Sequence, residues 1–600
     1  MLGNLEEAQR ILPINSALIK ERIGETNFEY AKILSYLGIL YQNTEKPGKA
    51  NRVYAALIEN LNYNINYQLV HLPRKVQLIW KEQMEVFKDQ INSFFLNKPV
   101  PAKAFAFNSQ FKAMTVRDLN TLYKDENQYQ EWLDLRQKIA RELSRPQLSQ
   151  SEQLEHWERE ILILESEMQA KHNLYLDQQL SWEKLKKYLK ADEVAIDFVR
   201  FKLYHPIKTD SVYYVAYIVD PVKEIIQQVT LFEERKLGKI LKNNQTRRAD
   251  YITYLYNIND RGVVVEGANI YELIWKPLMP YLKNKKTIHF SPVGHLHKFN
   301  HNAILFNQDS TLIDKFDLRQ YTTLRSLLLP KKEYTNFNYV LVGGVDYNAS
   351  ITIKEKNDTL SNITPSVNSG SRASAVAPQL KKWEYLKWTK KEVEKIDAMF
   401  QQTGKWKGAI LSGKNIPEEN VKQRRSKNNT DMRVTHFASH GFFFPDRYEN
   451  EIVDLPYFVT SKDPMLRSGL VLSGANRAWL GEKIPEGKED GILTAYEIQH
   501  LNLSNTELVV LSACETGLGE IRGSEGVFGL QRACKLAGVQ YIIMSLWQVP
   551  DKATQNLMTA FYKYWLLEEM EIRTAFRQAQ KDMKELYEEP YFWAGFVFVE

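Results

Sequence analysis

Through roughly the first 180 positions, apolar side chains recur at three- and four-residue spacing, the period of helices with one buried face. Gly3-Asn-Leu-Glu-Glu-Ala8 and Lys46-Pro-Gly-Lys-Ala50 open two amphipathic stretches alike, with Ala8 and Ala50 42 residues apart. Between them, Tyr30-Ala-Lys-Ile-Leu-Ser-Tyr-Leu-Gly-Ile-Leu-Tyr41 alternates small and large apolar positions, as the first helix of a repeating helical pair does. Fewer than three repeats leave a core open, so this segment either begins inside a longer array or is capped by later helices. Apolar stripes through Trp80, Val86, Phe87 and Ile91, then Trp132, Leu133, Ile139 and Leu143, continue the helical period. A charged hairpin breaks at Ser144-Arg-Pro-Gln-Leu-Ser149 and resumes through Trp157, Ile161, Leu164 and Met168.

At Asp192-Glu-Val-Ala-Ile-Asp-Phe-Val-Arg-Phe201 the period shortens to that of strands, and Ser211-Val-Tyr-Tyr-Val-Ala-Tyr-Ile-Val219 carries it on. An α/β region follows to about residue 335. The next strand, Tyr339-Val-Leu-Val-Gly-Gly344, precedes a polar loop, Asn357 to Arg372. Beyond it strands and helices alternate. Thr389 with Glu392, and Asn415 with Glu418, have capping-box spacing, and Gly408-Ala-Ile-Leu411 lies between them. A strand ending at His440, a long insertion to about 505, a strand running into Cys514, a helix over about 526–537 ending at Gly538 and the strand Tyr541-Ile-Ile-Met-Ser-Leu546 complete the order. Such alternation predicts a parallel sheet covered by helices, with sites at the carboxyl ends of its strands.

Two of those strand ends carry chemistry. Leu508-Val-Val-Leu-Ser-Ala-Cys-Glu-Thr-Gly517 ends in a small-residue turn that presents Cys514, and Met432-Arg-Val-Thr-His-Phe-Ala-Ser-His-Gly441 repeats the design with His440. A thiol attacks as its thiolate, and imidazole is the side chain suited to take the proton at neutral pH. The pair reads as nucleophile and base. Gly441 leaves an unobstructed N–H beside the histidine, so the amides of Gly441 and Cys514 form a candidate oxyanion hole. A lone cysteine at a strand end is, however, more often packing than catalysis, and the residue pattern by itself leaves both readings open.

The runs His436-Phe-Ala-Ser-His-Gly441, Leu511-Ser-Ala-Cys-Glu-Thr-Gly517, Gly523-Ser-Glu-Gly526, Ser545-Leu-Trp-Gln-Val-Pro-Asp551 and Tyr591-Phe-Trp-Ala594 fall in that order within residues 181–600. Together they resemble the CHAT family of caspase-like cysteine peptidases, relatives of separase in clan CD that typically follow TPR repeats. The resemblance implies TPR-like helical repeats over 1–65, a helical bundle or hairpin linker over 66–180, a non-catalytic, pseudo-caspase α/β half over 181–335 and a catalytic caspase-like half over 336–600. It also implies that His440 and Cys514 are the catalytic dyad. By the same likeness, Asp551 receives a basic residue before the scissile bond through a charge-assisted pair; the competing reading is that its carboxylate caps the helix Lys552–Leu566. Glu515 is a second candidate for lining the cleft, and His436 is expected to point into the core.

The implied function is a cysteine endopeptidase with protein substrates, regulated by a protein partner or effector complex on the TPR-like region, of the kind used in bacterial defence or cell-fate responses. The alternative is a catalytically silent scaffold using its TPR-like and pseudo-protease surfaces. Neither reading requires a cofactor. His289, His295, His297 and His301 are closely spaced, but no cysteine or nearby carboxylate joins them, so no metal site is expected. A lipase or amidase reading fails for want of a G-x-S-x-G elbow.

Composition adds bounds. Six hundred residues exceed one core, so two to four domains are expected. A net charge of +6 gives no case for nucleic acid, and the densest basic run, Lys422-Gln-Arg-Arg-Ser-Lys427, reads as a solvated loop. Two cysteines argue for a reducing compartment, with Cys534 as core. No apolar leader and no run of eighteen apolar residues stands out, so a cytoplasmic protein without membrane contact is expected.

Overall fold

A computed structural model of the chain describes residues 5–600 other than 70–71, 97, 100–101, 114–126, 144–152, 172–179, 205–207, 243–247, 259–263, 266, 308–309, 330–331, 350–380, 415, 417, 424–431, 446–456, 483, 485–487, 514–515, 518 and 522–526. Helices α1 (Leu5–Ile23), α2 (Phe28–Asn43), α3 (Pro47–Tyr63), α4 (Arg74–Phe95), α5 (Ala102–Ala113), α6 (Tyr129–Leu143) and α7 (Leu154–Lys171) form the amino-terminal region. Asn27 caps α2 by accepting the Glu29 N–H, and Pro47 starts α3, where its missing N–H costs nothing. α2 and α3 pack as a close pair. A Cβ on Gly38 would stand 2.7 Å from the Tyr54 ring, so the small position in the first helix is what lets the aromatic of the second reach it.

The main strands are β1 (Glu193–Tyr204), β2 (Lys208–Val219), β3 (Gln227–Glu233), β4 (Thr287–Ser291), β5 (Asp317–Gln320), β6 (Asn338–Val345), β7 (Lys407–Gly413), β8 (Val434–Ala438), β9 (His440–Phe443), β10 (Ser468–Val471), β11 (Ile492–Thr494), β12 (Leu508–Ser512), β13 (Tyr541–Ser545) and β14 (Phe596–Val599). One 11-stranded sheet runs β3-β2-β1-β4-β5-β14-β13-β12-β8-β6-β7. Its pairs are parallel except β1 with β2, β2 with β3 and β13 with β14. The chain is therefore α/β with a parallel-dominated sheet preceded by a helical region.

Every residue of β8 and β12 is buried, as expected for central strands covered on both faces. On the β1–β2 side, the amino-terminal helices share a core with the sheet. Phe105 and Phe107 of α5 belong to one apolar cluster with Val199 and Tyr217. A buried ion pair joins the same elements. Lys112 on α5 reaches Asp197 Oδ1 at 2.8 Å and the carbonyls of Ser291 and Phe198 at 2.8 and 3.1 Å, so all three protons of the ammonium are used.

Four local expectations change. β8 ends at Ala438, and His440 instead opens β9, part of a separate antiparallel sheet β9-β10-β11 that occupies the long insertion. The helix expected from 526 runs Leu530–Leu536, with Gly538 at φ 101° after it, a backbone suited to glycine, and buried Cys534 inside it. Thr389 and Glu392 do not form a capping box. The helix α8 (Lys387–Gln402) starts earlier, and the Thr389 hydroxyl bonds Leu386 O and Gly344 N–H instead. Of the basic run, Lys422 is nearly buried in the helix Glu418–Gln423 rather than in a solvated loop, and residues 424–427 lie outside the described residues. Asn415, its expected capping partner for Glu418, lies outside the described residues. Among the described residues no helix is long and apolar enough to cross a membrane.

Candidate functional site

The parallel register pairs Ala438, the last residue of β8, with Ser512, the last of β12. His440 follows Ala438 by two positions, and Cys514 follows Ser512 by two. Cys514 and Glu515 themselves lie outside the described residues, but their flanks are pinned. Ser545 Oγ donates to Ala513 O at 2.5 Å, and Gly517 N–H donates to Ser545 O at 2.6 Å. A Cβ on Gly517 would stand 2.9 Å from that same Ser545 oxygen, so the turn after the strand can pass only as glycine.

The His440 ring lies between two aromatic rings, Trp383 at 4.7 Å and Tyr347 at 5.0 Å. Its Nε2 is 2.8 Å from the main-chain oxygen of Glu384. A carbonyl only accepts, so Nε2 carries a proton and, in the neutral ring, Nδ1 is the free base. Burial favours that neutral form and lowers the His440 pKa; the Glu384 carbonyl opposes this and is outweighed. Beside it, Phe444 N–H donates to Arg467 O at 2.8 Å, which fixes the alternation along β9 and β10. Position 440 therefore shares a hydrogen-bonded pair with Val471, while Gly441 is in a non-bonded pair with Leu470 and turns its N–H away from β10.

Asp551 is the first residue of α9 (Asp551–Tyr562), whose N-cap is Pro550, and no side-chain cap bond is made there. Its carboxylate instead lines a narrow cavity of about 20 Å³, room for about one water, together with Glu392, Ser439, Ser512, Ala513 and Trp547. Ser439 precedes His440 and Ala513 precedes position 514 in the chain, so the cavity is lined by the residue before each. Burial raises the Asp551 pKa, and the neighbouring Glu392 charge raises it further. His436 is fully buried, as expected, but it is a polar link: its Nε2 is 2.8 Å from Glu392 Oε1 and its Nδ1 3.2 Å from the Tyr562 hydroxyl. Glu392 escaped the sequence reading because its spacing to Thr389 mimics a cap. Glu384 had no signal, since it contributes only a backbone oxygen.

Away from this site, Glu418, Glu489 and Glu497 converge within 4.8 Å of one another. Lys422 fills their centre, with Nζ at 2.5, 3.3 and 2.8 Å respectively, and the cluster is thus an internal ion network. Burial works against the Lys422 ammonium, but the three carboxylates outweigh it and hold it protonated well above the usual lysine range. Arg141 on α6 joins at 2.8 Å from Glu489, and Arg136 and Tyr129 of the same helix bond Gln499 O and the Asn502 amide. In the first half of the sheet the histidines serve packing. His301 accepts from Trp275 Nε1 at 3.1 Å and bonds Leu296 O, and His289 meets the Tyr321 hydroxyl.

A family model described as the CHAT domain matches residues 265–600, more than half of the chain. Tetratricopeptide repeat protein 28 of Mus musculus and that of Homo sapiens are each 33% identical to this chain over 110 residues. That match covers 18% of this chain, which spans only 4% of the length of those relatives. Among solved structures, the Arg-specific cysteine proteinase gingipain R is similar at 10% identity and TM-score 0.32, over 61% of this chain and 74% of that one. The Saccharomyces cerevisiae separase–securin complex is similar at 9% identity and TM-score 0.37, over 100% of this chain and 48% of that one.

Proposed function

The chain belongs to the CHAT domain family, and from that premise we propose that it is a caspase-like cysteine endopeptidase that cuts protein substrates after a basic residue. The observation that carries the reading is the state of His440, with Nε2 tied to a carbonyl and Nδ1 left as base two residues past the strand that adjoins the one leading to Cys514. In this reading Nδ1 takes the Cys514 thiol proton, and the thiolate attacks the scissile carbonyl carbon. The Gly441 and Cys514 amides hold the oxyanion, the imidazolium returns its proton to the leaving amine, and water then hydrolyses the thioester. Specificity for arginine or lysine is supported by the Asp551 and Glu392 carboxylates lining one cavity, where a cation held at the mouth offsets the burial and the Glu392 charge that raise the Asp551 pKa. Glu515 is assigned to the rim of the same cleft by its place next to the nucleophile. The TPR-like helices are the proposed seat of a regulatory protein partner, and two cysteines, one a buried free thiol, fit a reducing cytoplasm.

The test is a fluorogenic peptide panel with basic, acidic and apolar residues before the scissile bond, given to wild type, Cys514→Ala, His440→Ala and Asp551→Asn. Cleavage after Arg or Lys should vanish in the first two variants and fall at least about tenfold in the third, the worth of about 1.4 kcal/mol. Cleavage after another residue keeps the dyad and removes the acidic pocket. Activity that survives Cys514→Ala removes the dyad.

A further inference from the structure

Both aromatic walls of His440 are tied to one residue outside the dyad, Trp383 through that residue's side chain and Tyr347 through its main-chain N–H. Asn476 is buried, at the start of a short helix following β10. Its Oδ1 accepts the Trp383 N–H at 2.8 Å, and its Nδ2 donates to Trp383 O at 3.0 Å and to Asn348 Oδ1 at 2.9 Å. Its own N–H donates to Tyr347 O at 3.0 Å. Trp383 and Tyr347 are the rings that enclose His440, and Glu384, whose carbonyl holds Nε2, follows Trp383 directly. The strap 383–384 belongs to no helix or strand, so these hydrogen bonds supply the fixed geometry that regular structure would otherwise give.

We infer that Asn476 is a positioning residue for the dyad, holding the Trp383–Glu384 strap so that His440 keeps its proton on Nε2 and leaves Nδ1 as the base. Only an amide serves this purpose. The group must accept from the Trp383 N–H and donate both to the Trp383 carbonyl and to Asn348 Oδ1; an ionised acid has no proton to donate, a hydroxyl has one, and a hydrocarbon offers neither donor nor acceptor. The inference rests on the reading of His440 as the base.

The test reads thiolate formation directly and so does not depend on substrate or activator. The rate of Cys514 alkylation by iodoacetamide is followed from pH 5 to 10 by peptide mass spectrometry in wild type, His440→Gln, Asn476→Ala and Asn476→Asp. Labelling of buried Cys534 reports loss of fold. Wild type should react with a midpoint well below the ordinary thiol value of about 8.5, and His440→Gln should return to it. Asn476→Ala should move at least one pH unit toward His440→Gln, about tenfold less thiolate at pH values below both midpoints, with Cys534 still protected. Asn476→Asp, which keeps the acceptor and loses the donor, should fall between. A wild-type profile in Asn476→Ala, with His440→Gln displaced, overturns the positioning role and leaves the dyad standing. Identical wild-type and His440→Gln profiles overturn both. Should Asn476→Ala expose Cys534, the aspartate variant decides on the same criterion.

Discussion

Histidines in this chain do two different jobs, and their surroundings separate them. His440 is half-buried at a strand end with one nitrogen free, whereas His289, His297 and His301 are buried in the first half of the sheet. Burial is the first cause of depression in all three, reinforced by nearby cations at His289 and His297, to about 3 for those two and about 4 for His301. Folded-state values below the ordinary 6.5 mean that the unfolded chain binds more protons in acid, so stability is complete above pH 6.5 and is lost as pH falls below it. At pH 5 each group costs about 2 kcal/mol, from 1.5 pH units at 1.36 kcal/mol each. We expect the melting temperature to drop steeply between pH 6.5 and 5, and the double variant His289→Gln/His297→Gln to flatten that limb. An unchanged slope in the variant would show that other groups govern acid unfolding. At this scale the sequence offered candidates where residues sit in a short motif, as with His440, Gly441 and Asp551. It was silent where a role depends on a partner far along the chain. Glu392 meets His436 44 positions later, and Asn476 meets Trp383 93 positions earlier, so neither has a local pattern.

Elements were legible by period and misread at their junctions. The apolar runs of β8 and β12 identify central strands because both faces are covered, but the end of β8 at Ala438 is set by β10, which captures His440 through pairing with Val471. The small sheet then links the ion network to the site. Glu497 begins just after β11, β11 pairs with β10, and β10 pairs with β9, whose first residue is His440. The network's energetics can be tested by removing each cation. Lys422→Met leaves three buried carboxylates without their central charge and should cost about 3–5 kcal/mol. Burial already raises the Glu418 pKa well above the ordinary carboxylate value against the pull of Lys422, and the opposing pull of that cation is lost in the variant, so the loss deepens as pH rises from 5 to 8. Arg141→Ala removes a half-exposed partner and should cost about 1 kcal/mol or less. Thermal melts of both variants at the two pH values check this. Equal losses, or a Lys422→Met loss that shrinks with pH, would mean the network is held by hydrogen bonds rather than by charge.

At the scale of the whole molecule, the decisive element is the last strand. β14 lies between β5, in the first half of the sheet, and β13, in the second, antiparallel to β13 over Phe596–Val599 and parallel to β5 at Val599. Glu600 N–H donates to Gln320 O, Thr322 N–H donates to Glu600 O, and Arg573 pairs with the Glu600 carboxylate at 2.9 Å. Asn300 of the first half bonds the carbonyls of Ala594 and Phe596. The two halves therefore share one continuous sheet through a segment of five residues. Phe596, Val597 and Val599 are buried, at about 1.5–3 kcal/mol each. Without the segment β5 and β13 become edges with unpaired backbone groups, which invites association as well as unfolding. Deleting residues 596–600 should uncouple the halves. Calorimetry of the wild type should show the α/β region melting in one transition, and the deletion should split it or lower its midpoint by more than about 5 °C while increasing aggregation. A deletion variant that melts once at the wild-type temperature would show that contacts between the covering helices, and not the shared sheet, make the two halves a single cooperative unit.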